Sequence, residues 1–467
     1  MRDILCLSLS LVLLAGVLAG AEGDQWGLVR HEPSAQAGYT LFAPQQHETV
    51  YLLDMEGRIV HKWETDERPG NSVYLLEDGR LLRAVHTPGN SVFGAPPFGG
   101  GRIQILNWQG DIEWNYRVSD SERYQHHDIA PMPNGNVLAL AWEHKSRDEA
   151  IAAGRNPDLL EGDKLFPETV MEIRPTGPES GDVVWEWRLW DHLIQDFDSW
   201  KANFGVVAGH PGRLDINVVS GKGSDWNHAN SITYDAGLDQ IMISMRSMHE
   251  LIVLDHSPTT QEARGHTGGK QGKGGDFLYR WGNPRAYGRG TEADRKFFGQ
   301  HHPAWIPAGL PGAGDILVFN NGQGRPDGDY STVEQVRPPV DSTGAYRLEA
   351  SKAFGPEGPV WSYEGEPKGA FYSYFISSAQ RLSNGNTFIC SGANSRFFEV
   401  TPEGKIVWEY RAPFGRPDAP KAAGGLHAEG APEPNQAAMR GVGVFRATRY
   451  EMGYPGLGGK VLAPIGP

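Results

Sequence analysis

Cysteine is almost absent from this chain of 467 residues, which contains only Cys6 and Cys390. Cys6 lies in an apolar run from Ile4 to Leu18, which follows one basic residue and ends at the small residues 19–21. This pattern predicts a cleaved secretory signal peptide over residues 1–21, because the run is too short for a membrane anchor. We therefore expect a periplasmic or secreted protein without an internal disulfide, whose stability depends on a large packed core.

Basic residues are fewer than acidic ones, and long stretches with helical periodicity are also scarce. The formal net charge is −14, which argues against nucleic acid as a partner. An anionic substrate would therefore need a local basic site. The 60 glycines, 33 prolines and 14 tryptophans indicate an all-β chain with many turns.

Two motifs alternate along the chain. The first is a strand, a glycine turn and a strand with tryptophan near its end, in six copies from LLDMEGRIVHKW (52–63) to EVTPEGKIVWEY (399–410). The second is an apolar strand, a glycine turn and another strand, in five copies and a sixth, GVGVFRATRYEMGYPGL (441–457), after a Pro/Ala/Gly-rich loop at 412–440. Together they predict a six-bladed β-propeller formed by residues 22–467 as one domain. A pair of β-sandwiches or a β-solenoid are the alternatives.

The turn glycines place one polar residue at a similar position in each copy of the second motif. It stands eight residues before the glycine, or nine in the third copy, and the five residues are Asn71, His127, His228, His301 and Ser377. The first strand of a propeller blade lines the central channel. We therefore expect these side chains to form a ring around the axis, with the active site in the channel.

Three histidines in such a ring leave several interpretations open. Each could be a core histidine bonded to a carbonyl oxygen, the three could bind a metal ion, or they could act as nucleophile and acid–base groups. Arg246 ends the strand after His228, and a guanidinium beside imidazoles suits a tetrahedral oxyanion. Asn230 projects to the same side of its strand as His228, so it could donate to a substrate oxygen or cap a turn.

Four ordered segments together resemble the bacterial arylsulfate sulfotransferases that do not use PAPS: YQHHDIAPMPNGN, DWNHANSITYD, GQHHPAWIP followed by GDILVFNNG, and AQRLSNGNTFICSGANSRFFEVTPEGKIVWEY. The resemblance runs from about residue 37 to 457. It implies a periplasmic six-bladed propeller that moves a sulfuryl group from a small aryl sulfate donor to a phenolic acceptor. It further implies a ping-pong reaction through a sulfohistidine, without a metal ion or an organic cofactor.

The same resemblance assigns roles to residues. It implies that His301 is the nucleophile, that His228 and His127 bind sulfuryl oxygens or move protons, and that Arg246 and Asn230 occupy the family's arginine and asparagine positions. The ring position adds Asn71 and Ser377 as substrate-binding candidates.

His302 is also a candidate, because a slip of one residue would exchange its role with that of His301. Without a slip, His302 should lie behind the channel wall with Trp305 and Phe298.

The sequence also departs from the family pattern. Only about 20 residues separate the predicted signal peptide from the first repeat, so we expect the family's N-terminal β-sandwich and disulfide to be absent, and a monomer or weak homo-oligomer. Insertions at 143–170 and 188–225 are expected to form loops over one channel mouth. The alternative functions are a propeller that binds an extracellular ligand without catalysis and a propeller oxidoreductase. The acidic residues Asp191, Asp196 and Asp198 are better explained as a solvated loop than as the calcium site an oxidoreductase would need.

Overall fold

The computed structural model describes residues 26–94, 99–218, 223–415 and 443–465. The predicted signal peptide and nearly all of the predicted loop at 412–440 lie outside the described residues, so both stay predictions. Two short α-helices, Arg147–Ala152 and Thr260–Ala263, occur in the described part of the chain. No helix there is long and apolar enough to cross a membrane.

Six antiparallel sheets confirm the prediction of a six-bladed propeller. Each blade extends outwards from its innermost strand, which is named first. Blade 1 contains Val444–Glu451, Gly38–Pro44, Val50–Leu53 and Ile59–Trp63. Blade 2 contains Pro69–Leu75, Leu81–His86, Gly101–Leu106 and Ile112–Arg117. Blade 3 contains Arg123–Pro131, Val137–Glu143, Glu168–Gly177 and Ser180–Arg188. Blade 4 contains Ala229–Asp235, Gln240–Met245, Glu250–Asp255 and Tyr279–Trp281. Blade 5 contains His301–Trp305, Ile316–Asn320, Thr332–Val336 and Trp361–Glu364. Blade 6 contains Ser378–Arg381, Thr387–Ser391, Arg396–Val400, Ile406–Arg411 and Gly27–His31.

The remaining elements are short. Two small ladders join Lys145–Ser146 to Lys164–Leu165 and Leu193–Ile194 to Leu214–Asp215. Turns of 3₁₀ helix occur at Pro157–Leu159, Leu189–His192, Val207–Gly209, Arg246–Met248, Pro284–Tyr287, Glu292–Asp294, Lys368–Ala370, Gly392–Asn394, Pro413–Gly415 and Pro455–Leu457. The insertions at 143–170 and 188–225 contact each other, since Asn217 donates to the carbonyl of Gly154 at 2.9 Å. That they cover a channel mouth stays a prediction.

Blade 1 differs from the predicted sixth hairpin at 441–457. Its inner strand, Val444–Glu451, pairs with Gly38–Pro44 rather than with residues that follow it. The last hairpin is therefore assembled from two distant parts of the chain. The segment after residue 451 turns away through Pro455–Leu457 instead of forming a strand. The prediction of a hairpin was wrong at this position because its second strand is supplied from the other end of the sequence.

The repeated tryptophans form a hydrogen bond from each blade to the next. In every blade one indole N–H on the fourth strand donates to a main-chain carbonyl in or beside the connection between the third and fourth strands of the following blade. The six bonds, of 2.8 to 3.1 Å, are Trp63 to Asn107, Trp114 to Ser180, Trp185 to Pro258, Trp281 to Pro356, Trp361 to Pro402 and Trp408 to Met55. Since a buried indole N–H needs an acceptor, this pattern explains why tryptophan recurs in the repeat.

Candidate active site

The inner strands of neighbouring blades contact one another and are irregular where they begin. At this point four of the five predicted ring residues have a positive φ, which non-glycine residues rarely adopt: Asn71 (94°), His127 (50°), His228 (45°) and Ser377 (95°). In blade 5 the residue with positive φ is His302 (49°) instead of His301. By its φ, the residue of blade 5 that corresponds to the other ring residues is therefore His302, one residue later than the spacing to the turn glycine predicts. The turn of blade 5 is longer and contains three glycines with positive φ, Gly309, Gly312 and Gly314.

Despite this slip, the structure brings His127, His228, His301 and Arg246 into one cluster. The rings of His127 and His228 meet edge to face with centroids 4.7 Å apart. The main-chain N–H of Arg246 donates to the carbonyl of His228 at 3.0 Å, which ties the two strands together. Burial lowers the pKa of His127 and of His301 well below the usual value, assisted by His228 and by Arg246 respectively. Both imidazoles are therefore neutral near pH 7.

His301 is held by three hydrogen bonds. Its Nδ1 lies 2.7 Å from Oδ1 of Asn321 and 3.1 Å from the carbonyl of Gly299. Its Nε2 accepts the main-chain N–H of Ile376 at 3.2 Å. Because the carbonyl of Gly299 can only accept, Nδ1 carries the hydrogen and Nε2 carries the lone pair. Asn321 is itself fixed, since its Nδ2 donates to the carbonyls of Ser373 and Ile376.

His228 forms a dyad with Asp225. Its Nδ1 lies 2.5 Å from Oδ2 of Asp225. Burial acts to raise the pKa of Asp225, but the interaction with His228 outweighs it and holds this pKa below the usual value. The carboxylate therefore stays ionised, orients the ring and stabilises a positive charge on it, as in other His–Asp pairs.

His127 is the outer member of a buried chain of three side chains. Its Nδ1 lies 2.8 Å from Nδ1 of His126, whose Nε2 lies 2.8 Å from Oε2 of Glu168. Neither His126 nor Glu168 is exposed to solvent. Burial raises the pKa of Glu168, while His126 acts to lower it. With Glu168 ionised, His126 donates to it and accepts Nδ1–H of His127, which leaves Nε2 of His127 without a hydrogen.

Arg246 is the cationic member of the cluster. Burial lowers the pKa of its guanidinium, which nevertheless stays charged near neutral pH. Its Nη2 donates to Gln323 at 3.2 Å, and the side chain is partly exposed. Gly299 approaches it closely, since a Cβ at that position would lie 3.7 Å from the guanidinium. A guanidinium and neutral imidazoles at one place suit a small anion with several oxygens.

The other predicted residues lie around this cluster with different partners. Asn230 is completely buried, and its Nδ2 donates to the carbonyl of Gln300, the residue before His301. Its role in substrate binding stays a prediction. Asn71 accepts a hydrogen bond from Gln45 at 2.9 Å. Ser377 shares a hydrogen bond of 2.8 Å with Ser373.

His302 is partly exposed as a whole, although its Nδ1 is buried. Burial lowers its pKa well below the usual value, with Arg446 of blade 1 assisting. The ladder between the first two strands of blade 5 shifts its register between His301 and Ala304, while burial still alternates along His301–Trp305. The position of His302 behind the channel wall, with Trp305 and Phe298, stays a prediction.

Four polar residues of the site were missed by sequence reasoning: His126, Glu168, Asp225 and Asn321. Three of them stand inside or near the segments that resemble the family, as the first histidine of HHD, the aspartate of DWNHAN and the second asparagine of FNNG. Their proximity to the predicted residues was the available signal. Glu168 had none, because it comes from the third strand of blade 3, 42 residues after His126. A group with metal-ligand geometry in the described residues, His192, His266 and Asp276, lies outside the cluster.

Fold and cluster together define a six-bladed propeller whose inner strands gather histidines and an arginine. The model of the arylsulfotransferase (ASST) family matches residues 30–412. The chain therefore belongs to the arylsulfotransferase family.

Two curated relatives carry the name arylsulfate sulfotransferase AssT. The relative from Escherichia coli O6:H1 (strain CFT073) is 25% identical in an alignment of 390 residues that covers 75% of this chain and 58% of the relative. The one from Lelliottia amnigena is 23% identical in an alignment of 414 residues that covers 82% of this chain and 63% of the relative. The matched region thus spans less than two thirds of either relative. A solved protein of unknown function from Bacteroides caccae aligns with 12% identity over 80% of this chain and 93% of its own, with a TM-score of 0.43.

Proposed function

We propose that this chain is an exported arylsulfate sulfotransferase that uses the cluster in the propeller channel as its active site. In this proposal a sulfuryl group passes from an aryl sulfate to a phenol through a sulfohistidine on His301. The observation that carries the proposal is the state of His301. It is a buried, neutral imidazole whose Nδ1–H is held by Asn321, so that Nε2 carries the lone pair and attacks once the donor displaces the N–H of Ile376 from it.

Donor binding follows from the charges of the cluster. The whole chain is strongly acidic, so a sulfate ester needs the local guanidinium of Arg246. The N–H of Ile376, which meets Nε2 of His301 at 3.2 Å, is positioned to hold a sulfuryl oxygen once that nitrogen bonds to sulfur. Such preorganised donors stabilise the charge that spreads over the oxygens in the transition state.

Partly exposed aromatic rings lie next to the cluster. Tyr372 interacts electrostatically with Arg246, and Tyr374 and Phe375 pack ring on ring with centroids 4.5 Å apart. Phe375 directly precedes Ile376, whose N–H contacts His301. We assign the aryl groups of donor and acceptor to this segment, because stacking against aromatic side chains favours aromatic ligands.

The transfer takes two steps. Nε2 of His301 attacks sulfur, an N–S bond forms, and the bond from sulfur to the aryl oxygen breaks as the phenolate leaves. An acceptor phenol then gives its proton to Nε2 of His228, its oxygen attacks sulfur, and the N–S bond breaks. The imidazolium of His228, stabilised by Asp225, protonates the phenolate that leaves in the next cycle. His127, aligned by His126, is a second proton-accepting group.

Intact-mass spectrometry tests the proposal. The full chain is mixed with p-nitrophenyl sulfate without an acceptor, and we expect one added sulfuryl group together with a burst of p-nitrophenol. The adduct should be absent in His301→Ala and present in His302→Ala, the matched neighbour. Addition of phenol should then remove the adduct. Binding of the ester without adduct or burst would instead support a propeller that binds a ligand without catalysis.

A further inference from the structure

A second group of polar side chains lies outside the cluster, where loops of blades 3 and 4 meet. His192 ends the 3₁₀ turn that follows the outer strand of blade 3. His266 and Asp276 stand at the two ends of a glycine-rich segment, residues 265–275, before the outer strand of blade 4. One ligand atom from each of the three residues lies within 4.8 Å of the other two. Each of these atoms is of a type that binds metal ions.

The contacts of His192 leave one of its ring nitrogens beside a carboxylate oxygen. Its Nε2 lies 2.8 Å from the carbonyl oxygen of Ala263, which can only accept, so Nε2 carries a hydrogen. Its Nδ1 lies 2.8 Å from Oδ1 of Asp276. In the neutral ring this nitrogen has a lone pair, and it would face a carboxylate oxygen. A cation bound by both atoms would remove this repulsion, and a metal ion is one such cation.

The surroundings favour a metal ion. Nδ1 of His266 lies 2.8 Å from the same Oδ1 of Asp276, so two imidazoles and one carboxylate converge. The second oxygen of Asp276 accepts Nε–H of Arg213 at a long 3.5 Å. A ligand histidine bonded to a carbonyl, and a ligand carboxylate bonded to a donor, are the outer contacts that metal sites use.

The glycine-rich segment has a backbone that few other residues could adopt. Gly268, Gly269, Gly272 and Gly274 all have a positive φ, a conformation in which glycine loses much freedom on folding. Gly275 is needed for another reason, since a Cβ there would lie 2.5 Å from Nε2 of His192. The cysteine of the described residues, Cys390, is buried in another blade, so no disulfide can hold this segment.

We propose that His192, His266 and Asp276 bind one divalent transition-metal ion of the Zn(II) class, with water as the fourth ligand. Two imidazole nitrogens and a carboxylate are a donor set that Zn(II) accepts in tetrahedral geometry. The ion crosslinks the 3₁₀ turn after the last strand of blade 3 to the glycine-rich segment of blade 4, as a disulfide could do. This inference does not depend on the proposed sulfuryl transfer.

Metal titration of the full chain tests the site. The protein is treated with a chelator, and Co(II) or Zn(II) is then added. We expect one equivalent to bind, with the visible absorption of tetrahedral Co(II). The side chain of His266 is 43% exposed, so His266→Ala should fold and should bind at least about tenfold more weakly. His210→Ala is the matched control, because this exposed histidine bonds the carbonyl of Val206 in a neighbouring loop.

Trypsin gives a readout of the proposed role. Lys270 and Lys273 are cleavage sites inside the segment, and Zn(II) should slow cleavage there severalfold in the wild type and in His210→Ala but not in His266→Ala. Failure of the wild type to bind the metal, or equal binding by His266→Ala, would mean that a proton occupies the site and would overturn the proposal. Cleavage that is equally fast with and without bound metal would overturn the proposed role of the ion in holding this segment.

Discussion

Replacing Asp128 by asparagine should reduce the free energy of unfolding by about 3 to 5 kcal/mol, because it leaves a buried guanidinium without its counter-ion. Asp128 of blade 3 pairs with Arg446 of blade 1, with Oδ2 and Nη2 2.6 Å apart and side-chain exposures of 0% and 4%. Its two oxygens also accept the N–H groups of Ile129 and of Ile232 in blade 4, and the hydroxyl of Tyr74 in blade 2. One carboxylate thus connects four blades.

The magnitude follows from burial rather than from distance. Arg174 and Asp182 form a pair of nearly equal length, 2.7 Å, but their side chains are 57% and 56% exposed. Exposed pairs contribute about 0–1 kcal/mol, since water solvates and screens both charges. Asp182→Asn is therefore the control for Asp128→Asn.

Chemical denaturation followed by tryptophan fluorescence measures both variants. We expect the midpoint to fall markedly for Asp128→Asn and hardly at all for Asp182→Asn. Equal losses, or a loss below about 1 kcal/mol for Asp128→Asn, would refute the reasoning that burial makes this pair costly to break.

Three further predictions concern the histidines. Burial keeps the pKa of His301 well below its usual value. The rate of adduct formation, measured by rapid-quench mass spectrometry, should therefore not fall between about pH 7 and pH 6, where an ordinary histidine would begin to protonate. A fall in this rate would contradict a neutral His301. Asp225→Asn removes the carboxylate that stabilises the imidazolium of His228. Transfer of the sulfuryl group from the adduct to phenol, measured in acceptor-chase experiments, should therefore slow by about 100-fold. An unchanged rate would exclude a role of this dyad in the transfer. His256 is bonded to Glu172 and Asp239, and although burial acts to lower its pKa, these carboxylates raise it above the usual value. The contribution of His256 to stability is complete below its unfolded pKa of about 6.5 and is lost as pH rises through its higher folded pKa. The denaturation midpoints of the wild type and of His256→Asn should therefore converge as pH rises. A difference between the two midpoints that stays constant with pH would contradict this.

The fold was largely predictable because its signals are local and repeated. Tryptophan on a fourth strand and glycine in a hairpin turn recur with each blade, and six copies identify the architecture. Blade 1 was harder, since Gly38–Pro44 pairs with a strand about 400 residues away in sequence, and no local pattern records such a pairing.

The candidate site was predictable only in part. Motif and repeat led to His127, His228, His301 and Arg246, which the fold brings together. Their supporting partners depend on packing between strands and blades. The clearest case is Glu168, whose contact with the histidines arises from strand pairing that no spacing in the sequence reveals.

The ring of six indole bonds has a consequence for the divergence of such chains. Every acceptor is a main-chain carbonyl, and any amino acid in the receiving turn provides one. At each boundary this bond constrains one side chain, the tryptophan, and leaves the residue that supplies the carbonyl open to mutation. As far as this bond is concerned, a substitution in the receiving segment needs no matching change in the neighbouring blade. A chain built this way can change its loops and its ligands while the order and spacing of its blades persist.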